Sequence, residues 1–120
     1  MRYMMLLELD PSKAPSQGPS EELMEEMGKL IEEMTKAGVL LDTGGLKPVD
    51  EGTVIRQSGG RQTVVDGPFT EAKEVIGGYC IVQAKSQEEA VEWASRFLAL
   101  HGPEWELSSY VRQIEEPAQQ

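Results

Sequence analysis

The residues in this chain best suited to chemistry are few. They are a single histidine, His101, a single cysteine, Cys80, and a run of charge and glycine beginning at Asp66. That run reads Asp66-Gly67-Pro68-Phe69-Thr70-Glu71-Ala72-Lys73-Glu74, then Val75-Ile76-Gly77-Gly78-Tyr79. Asp-Gly-Pro ends a preceding strand, because Asp bonds its own backbone, Gly frees the torsions and Pro cannot extend a ladder. Phe69 is placed to anchor the loop in apolar packing, while Glu71, Lys73 and Glu74 crowd three charges onto a short segment. Gly77-Gly78 removes two side chains early in a strand, a mark of close approach by a backbone or a ligand.

Asp66 would serve as a general acid or base if an apolar pocket raised its pKa; otherwise it is a turn former bonded to nearby amides. His101 precedes Gly102-Pro103 at the end of a predicted helix. It would pair with an acid to move protons, or simply sit well against a helix C-terminus. Cys80 lies mid-strand in an apolar stretch and reads as packing, since reactive thiolates need an electropositive, partly open setting. One His, one Cys and scattered acids have no zinc-like spacing, and neither common phosphate-binding glycine pattern occurs. No metal and no cofactor are expected.

The elements that must position these residues follow from periodicity. Arg2 to Leu9 is a strand, with Tyr3, Met5, Leu7 and Leu9 on one side and Met4 and Leu6 on the other. A loop rich in Pro, Ser and Gly runs from Asp10 to Pro19. Ser20 caps a helix to about Ala37, with Leu23, Met27, Leu30 and Met34 in one stripe, Met24 and Ile31 widening it, and Gly38 as its stop. Val39 to Leu46 is a second strand, fading into Gly44-Gly45. Thr53 to Gln57 and Arg61 to Val65 flank Ser58-Gly59-Gly60 as a hairpin. Residues 66–75 form a loop with a helical turn at Glu71 to Glu74, and Ile76 to Lys85 is the next strand. Ser86-Gln87-Glu88-Glu89 is a capping box opening a second helix, whose inward side holds Ala90, Val91, Ala94, Phe97 and Leu98. Glu106 to Ile114 is the last strand. The order is β-α-β, a hairpin, then β-α-β, so the fold class is α+β: a ferredoxin-like split β-α-β antiparallel sheet with two helices on one face.

At 120 residues with 39% hydrophobic content, the chain forms one domain over residues 1–115 with a polar tail at 116–120. The formal charge of −10, from 21 acids against 11 bases, repels phosphate backbones and anionic lipid. Neither nucleic acid nor membrane is expected as a partner, and no apolar run approaches the ~20 residues of a spanning helix. No signal-peptide pattern is seen, and the lone cysteine suits a reducing compartment, so a cytoplasmic location is expected.

A sheet with helices on one face should alternate apolar and polar residues. Here Tyr3, Met5 and Leu7 oppose Met4 and Leu6, and Tyr79 and Ile81 oppose Cys80 and Val82. Leaving those side chains in water forgoes about 1.5–3 kcal/mol each. A second copy covers such a face most cheaply, so a homodimer is expected; the long loops folding back over it are the alternative.

The Asp66 to Phe69 motif resembles the signature of the DGPF family of the YCII-related superfamily. The likeness extends through Ser20-Glu21-Glu22-Leu23, Lys36-Ala37-Gly38-Val39-Leu40, Ser58-Gly59-Gly60, and Glu89-Ala90 to Glu92-Trp93-Ala94. The resemblance implies a dimeric α/β barrel built from ferredoxin-like subunits. It also implies association, in some members, with extracytoplasmic-function sigma factors, and in related proteins a His–Asp pair between helix and sheet. The histidine of that pair would fall near Met24 to Met27, where this chain has none.

The functional expectation is a small-metabolite binder whose pocket is bounded by Asp66, Gly67, Pro68, Phe69, Glu71 and Lys73 together with Tyr3, Tyr79 and Arg112. One alternative is an acid–base enzyme of isomerase or lyase type using Asp66, with His101 as a second candidate. Another is an interaction module partnering a sigma factor.

Overall fold

A computed structural model describes residues 1–67 and 74–117. Strands β1 (Arg2–Leu9), β2 (Leu40–Gly45), β5 (Val75–Gln83) and β6 (Leu107–Gln113) form one sheet in the order β2-β5-β1-β6. Every neighbouring pair is antiparallel. Helices α1 (Glu21–Lys36) and α2 (Gln87–Ala99) each link two strands that flank a third. This is the ferredoxin-like α+β arrangement expected from the element order. Strands β3 (Thr53–Ser58) and β4 (Arg61–Asp66) pair separately as a hairpin. Its turn is made by Gly59 at φ +57° and Gly60 at φ +78°, the positive torsions that a two-residue turn requires.

Local chemistry sets the helix ends. The Ser20 hydroxyl accepts from the Leu23 amide at 3.1 Å. At the other end of α1, Gly38 adopts φ +73°, so its amide reaches the Thr35 carbonyl and the Val39 amide reaches that of Met34. In α2 the Ser86 hydroxyl accepts from Glu89, while the Glu89 carboxylate accepts from the Lys85 amide, one residue before the cap. Among the described residues no helix is long and apolar enough to cross a membrane.

The core lies between the helices and one sheet face. Tyr3 and Met5 from β1, Val82 from β5, Leu30 and Met34 from α1, and Ala90 and Ala94 from α2 are buried there. The apolar stripe of α1 is narrower than its sequence period suggests, with Met24 58% and Ile31 38% exposed. In α2 the small Ala90 and Ala94 admit close approach to β6. Val91 is left outside, and Trp93 packs against the core instead. The helices therefore lie over opposite edges, α1 over β2 and α2 over β6 and β1.

Candidate functional site

The hollow between those helices begins with four glycines. Strand β2 ends on Gly44-Gly45, β5 begins near Gly77-Gly78, and the sheet register sets Gly45 directly opposite Gly78. On its other side Gly78 pairs with Leu7, beside a bulge at Leu7/Glu8. A Cβ at Gly45 would meet nothing within 4 Å, whereas one at Gly78 would press on the Gly44 carbonyl at 3.0 Å. At this end of the sheet the floor thus lacks side chains, and a cavity of about 350 Å³ stands above it. That volume lies within the ~300–1,000 Å³ usual for small-molecule sites.

Its walls include Leu7 and Leu9 from β1, Leu23, Met27 and Leu30 from α1, and Trp93 and Phe97 from α2, together with His101, Trp105 and Leu107. No Asp, Glu, Lys or Arg among the described residues lines it. An ion pair joins the two helices beside it: Arg96 donates to both Glu33 oxygens at 2.6 and 2.7 Å and lies 5.0 Å from the Trp93 ring centroid. The Arg96 hydrogen bond holds the Glu33 carboxyl below the usual carboxylate range.

Few polar side chains reach the cavity. Thr43 is satisfied, its hydroxyl donating to the Tyr79 carbonyl at 3.0 Å. Burial pushes the Cys80 thiol up to about 11, so it is a protonated wall group at neutral pH. His101 is set by three contacts. Its Nδ1 lies 3.1 Å from the Phe97 carbonyl, and its ring meets Phe97 and Trp105 edge-on, with centroids 5.2 and 5.4 Å away. A carbonyl only accepts, so Nδ1 carries a proton, and the tautomer of the uncharged ring that fits this contact has its lone pair on Nε2. Among the described residues no three His, Cys, Asp or Glu side chains converge as a metal's ligands would.

The residues singled out from the sequence are distributed differently. Tyr3 is 2% exposed in the core, and its hydroxyl lies 4.0 Å from the Met1 sulfur. Tyr79 pairs with Leu6, so its ring is on the opposite face, where the phenol donates to Asp42 at 3.2 Å. The two tyrosine rings cannot share one pocket. The Asp42 charge holds the Tyr79 phenol above its ordinary range. Arg112, on edge strand β6, pairs with Met4 and is not brought to the cavity. Asp66 is exposed at the hairpin base and accepts from the Thr53 hydroxyl at 2.9 Å. Gly67 donates to the Gly52 carbonyl, and a Cβ there would overlap the Asp50 backbone at 2.6 Å, so glycine answers a packing need. Pro68, Phe69, Glu71 and Lys73, with the helical turn expected at 71–74, lie largely outside the described residues. Of the candidates, His101 lines the cavity and Tyr79 borders it. Trp105 also lines it, as do Leu9 and Gly45, which the sequence marks only as strand residues; the doubled glycines at 44–45 and 77–78 are the one signal for the hollow.

The YCII-related domain family matches residues 1–99 of the chain. The chain belongs to that family. An uncharacterised protein of Rhizobium meliloti (strain 1021) is 31% identical to this YCII-related chain over 96 residues, covering 78% of the chain and 77% of the relative. In this YCII-related protein the helix-facing positions around Met27 are apolar, and its histidine enters the helix–sheet space from the end of α2 instead.

Proposed function

We propose that this protein binds a small, largely apolar molecule in the cavity between α1 and the sheet. The observation that carries this is a volume of about 350 Å³ walled by aliphatic and aromatic side chains, with no charged side chain among the described residues that line it. Apolar hollows of this size with a few convergent polar atoms are the usual form of small-molecule sites. The Asp66–Phe69 motif supports membership of the DGPF branch, and in sequence it precedes the strand whose Gly78 floors the cavity.

The functional unit in this reading is a homodimer packed through the uncovered sheet face. Support comes from Met4, Leu6, Tyr79 and Ile81, half-buried side chains on that face, with Leu6 in register between Tyr79 and Tyr110. A lysine at Leu6 puts charge in the middle of that row. Sedimentation should then report a monomer for Leu6→Lys and a dimer for wild type; equal masses would remove the dimer.

The binding reading is tested by thermal shifts across a panel of small neutral metabolites, comparing wild type with Met27→Trp, which fills the cavity from α1. At least one compound should raise the melting temperature of wild type and leave the variant unmoved. If wild type and variant respond alike to every compound that binds, the cavity is not the site.

A further inference from the structure

We infer that the cavity selects a neutral, mostly apolar ligand carrying one hydroxyl-type donor, received by Nε2 of His101. The inference rests on the cavity being the binding site and adds what the site takes.

Size follows from volume. Scaled from a ~150 Å³ protein cavity that holds benzene, about 350 Å³ holds roughly a dozen non-hydrogen atoms. Charge follows from the walls. A carboxylate or ammonium entering would lose its hydration and meet no opposite charge among the described lining residues, at a cost of several kcal/mol. Polarity follows from the ring nitrogen left without a partner among the described residues; the Ser109 hydroxyl and the indole N–H groups of Trp93 and Trp105 are further polar groups in the lining. Thr43 donates to the Tyr79 carbonyl, and the Cys80 thiol is a weak partner at best. His101 uses Nδ1–H on the Phe97 carbonyl, and no described residue bonds Nε2. No side-chain nitrogen or oxygen in the described structure is both sealed and unpartnered, so Nε2 has open space beside it. His101 lines this cavity, and its ring is fixed edge-on between Phe97 and Trp105. A lone pair on a fixed ring that lines an apolar hollow accepts from a phenol, enol or alcohol. It offers nothing to an apolar molecule of the same shape.

Three probes of suitable size separate the possibilities: 4-butylphenol, butylbenzene and 4-butylbenzoate, titrated calorimetrically into the untagged chain. Wild type should bind the phenol about fivefold more tightly than butylbenzene, the worth of one net hydrogen bond, and bind the benzoate weakest. His101→Phe should hold butylbenzene and lose the preference for the phenol. Should that substitution disturb folding, the wild-type imidazole decides the matter, because the sequence has one histidine and hence one pair of ring ¹⁵N signals. Those signals should report the Nδ1–H tautomer, with Nε2 shifting on addition of the phenol and not of butylbenzene. A benzoate that binds tightest, a phenol preference that survives in His101→Phe, or an Nε2 signal indifferent to the phenol each overturns the inference while leaving the cavity as a site. Failure of all three probes to bind wild type overturns the cavity reading along with it.

Discussion

The thiol of Cys80 offers a quantitative check on how dry the cavity wall is. Burial raises its pKa to about 11, the Asp42 charge adding to the effect. An ordinary thiol near 8.5 is about one-quarter thiolate at pH 8, whereas one near 11 is about one-thousandth, a difference of roughly 240-fold. A more basic thiolate is also a better nucleophile, and with a Brønsted slope of ~0.45 about 13-fold of that deficit is recovered. Cys80 should therefore react with methyl methanethiosulfonate about twentyfold more slowly than free cysteine at pH 8, before any loss of access is counted. The log rate should climb with unit slope from pH 7 past pH 10, and saturating butylbenzene should slow it further by filling the space the reagent must enter. The sign for stability is also fixed. Above the ordinary thiol range the folded state holds a proton that the unfolded chain has released, so stability falls as pH rises from about 9 toward 11. A rate that levels off near pH 8.5, or matches free cysteine, would refute the burial argument and the wall position assigned to Cys80.

Further expectations follow from particular contacts. Val82 is fully buried at the centre of the sheet, so Val82→Ala should lower unfolding free energy by about 2 kcal/mol in urea titration. Gly67→Ala should destabilise by about 1–3 kcal/mol through overlap with the Asp50 backbone. Gly45→Ala, whose Cβ meets only open space, should leave stability unchanged or raised by up to ~1 kcal/mol. Comparable losses for both glycines would contradict the hollow floor. Glu33 is held below the usual carboxylate range by Arg96, so its contribution is present above that range and is lost as pH falls through its folded value. Melting curves of wild type should accordingly drop more steeply with acid than those of Arg96→Gln; parallel curves would mean that the pair adds nothing.

Much of the fold was legible because it depends on neighbours in sequence. Ser20, Gly38 and the Ser86 box mark the helix ends, and Gly59-Gly60 marks the hairpin, each through a bond or torsion within a few residues. Strand parity likewise separates Tyr3 from Tyr79 once β1 and β5 are paired, since Tyr3 aligns with Val82 and Tyr79 with Leu6. A pocket holding both rings ignored that pairing. The facing of α2 was misread at Val91 and Trp93 because periodicity alone does not say how closely Ala90 and Ala94 let the helix approach. The cavity was least legible, as it requires Gly45 to meet Gly78 across the sheet while α1 and α2 settle over opposite edges. Asp66 drew attention by its charge in a distinctive motif, yet its carboxylate bonds Thr53 at the hairpin base. His101, which looked like a helix-end residue, lines the hollow as well as bonding its own helix.

The most direct measurement is a crystal structure under xenon pressure. An enduring apolar space should show an anomalous peak above Gly45 and Gly78, between Leu30 and Trp105, that disappears in Met27→Trp. A wild-type map with α1 settled onto the glycine floor and no xenon there would contradict the binding account at its root.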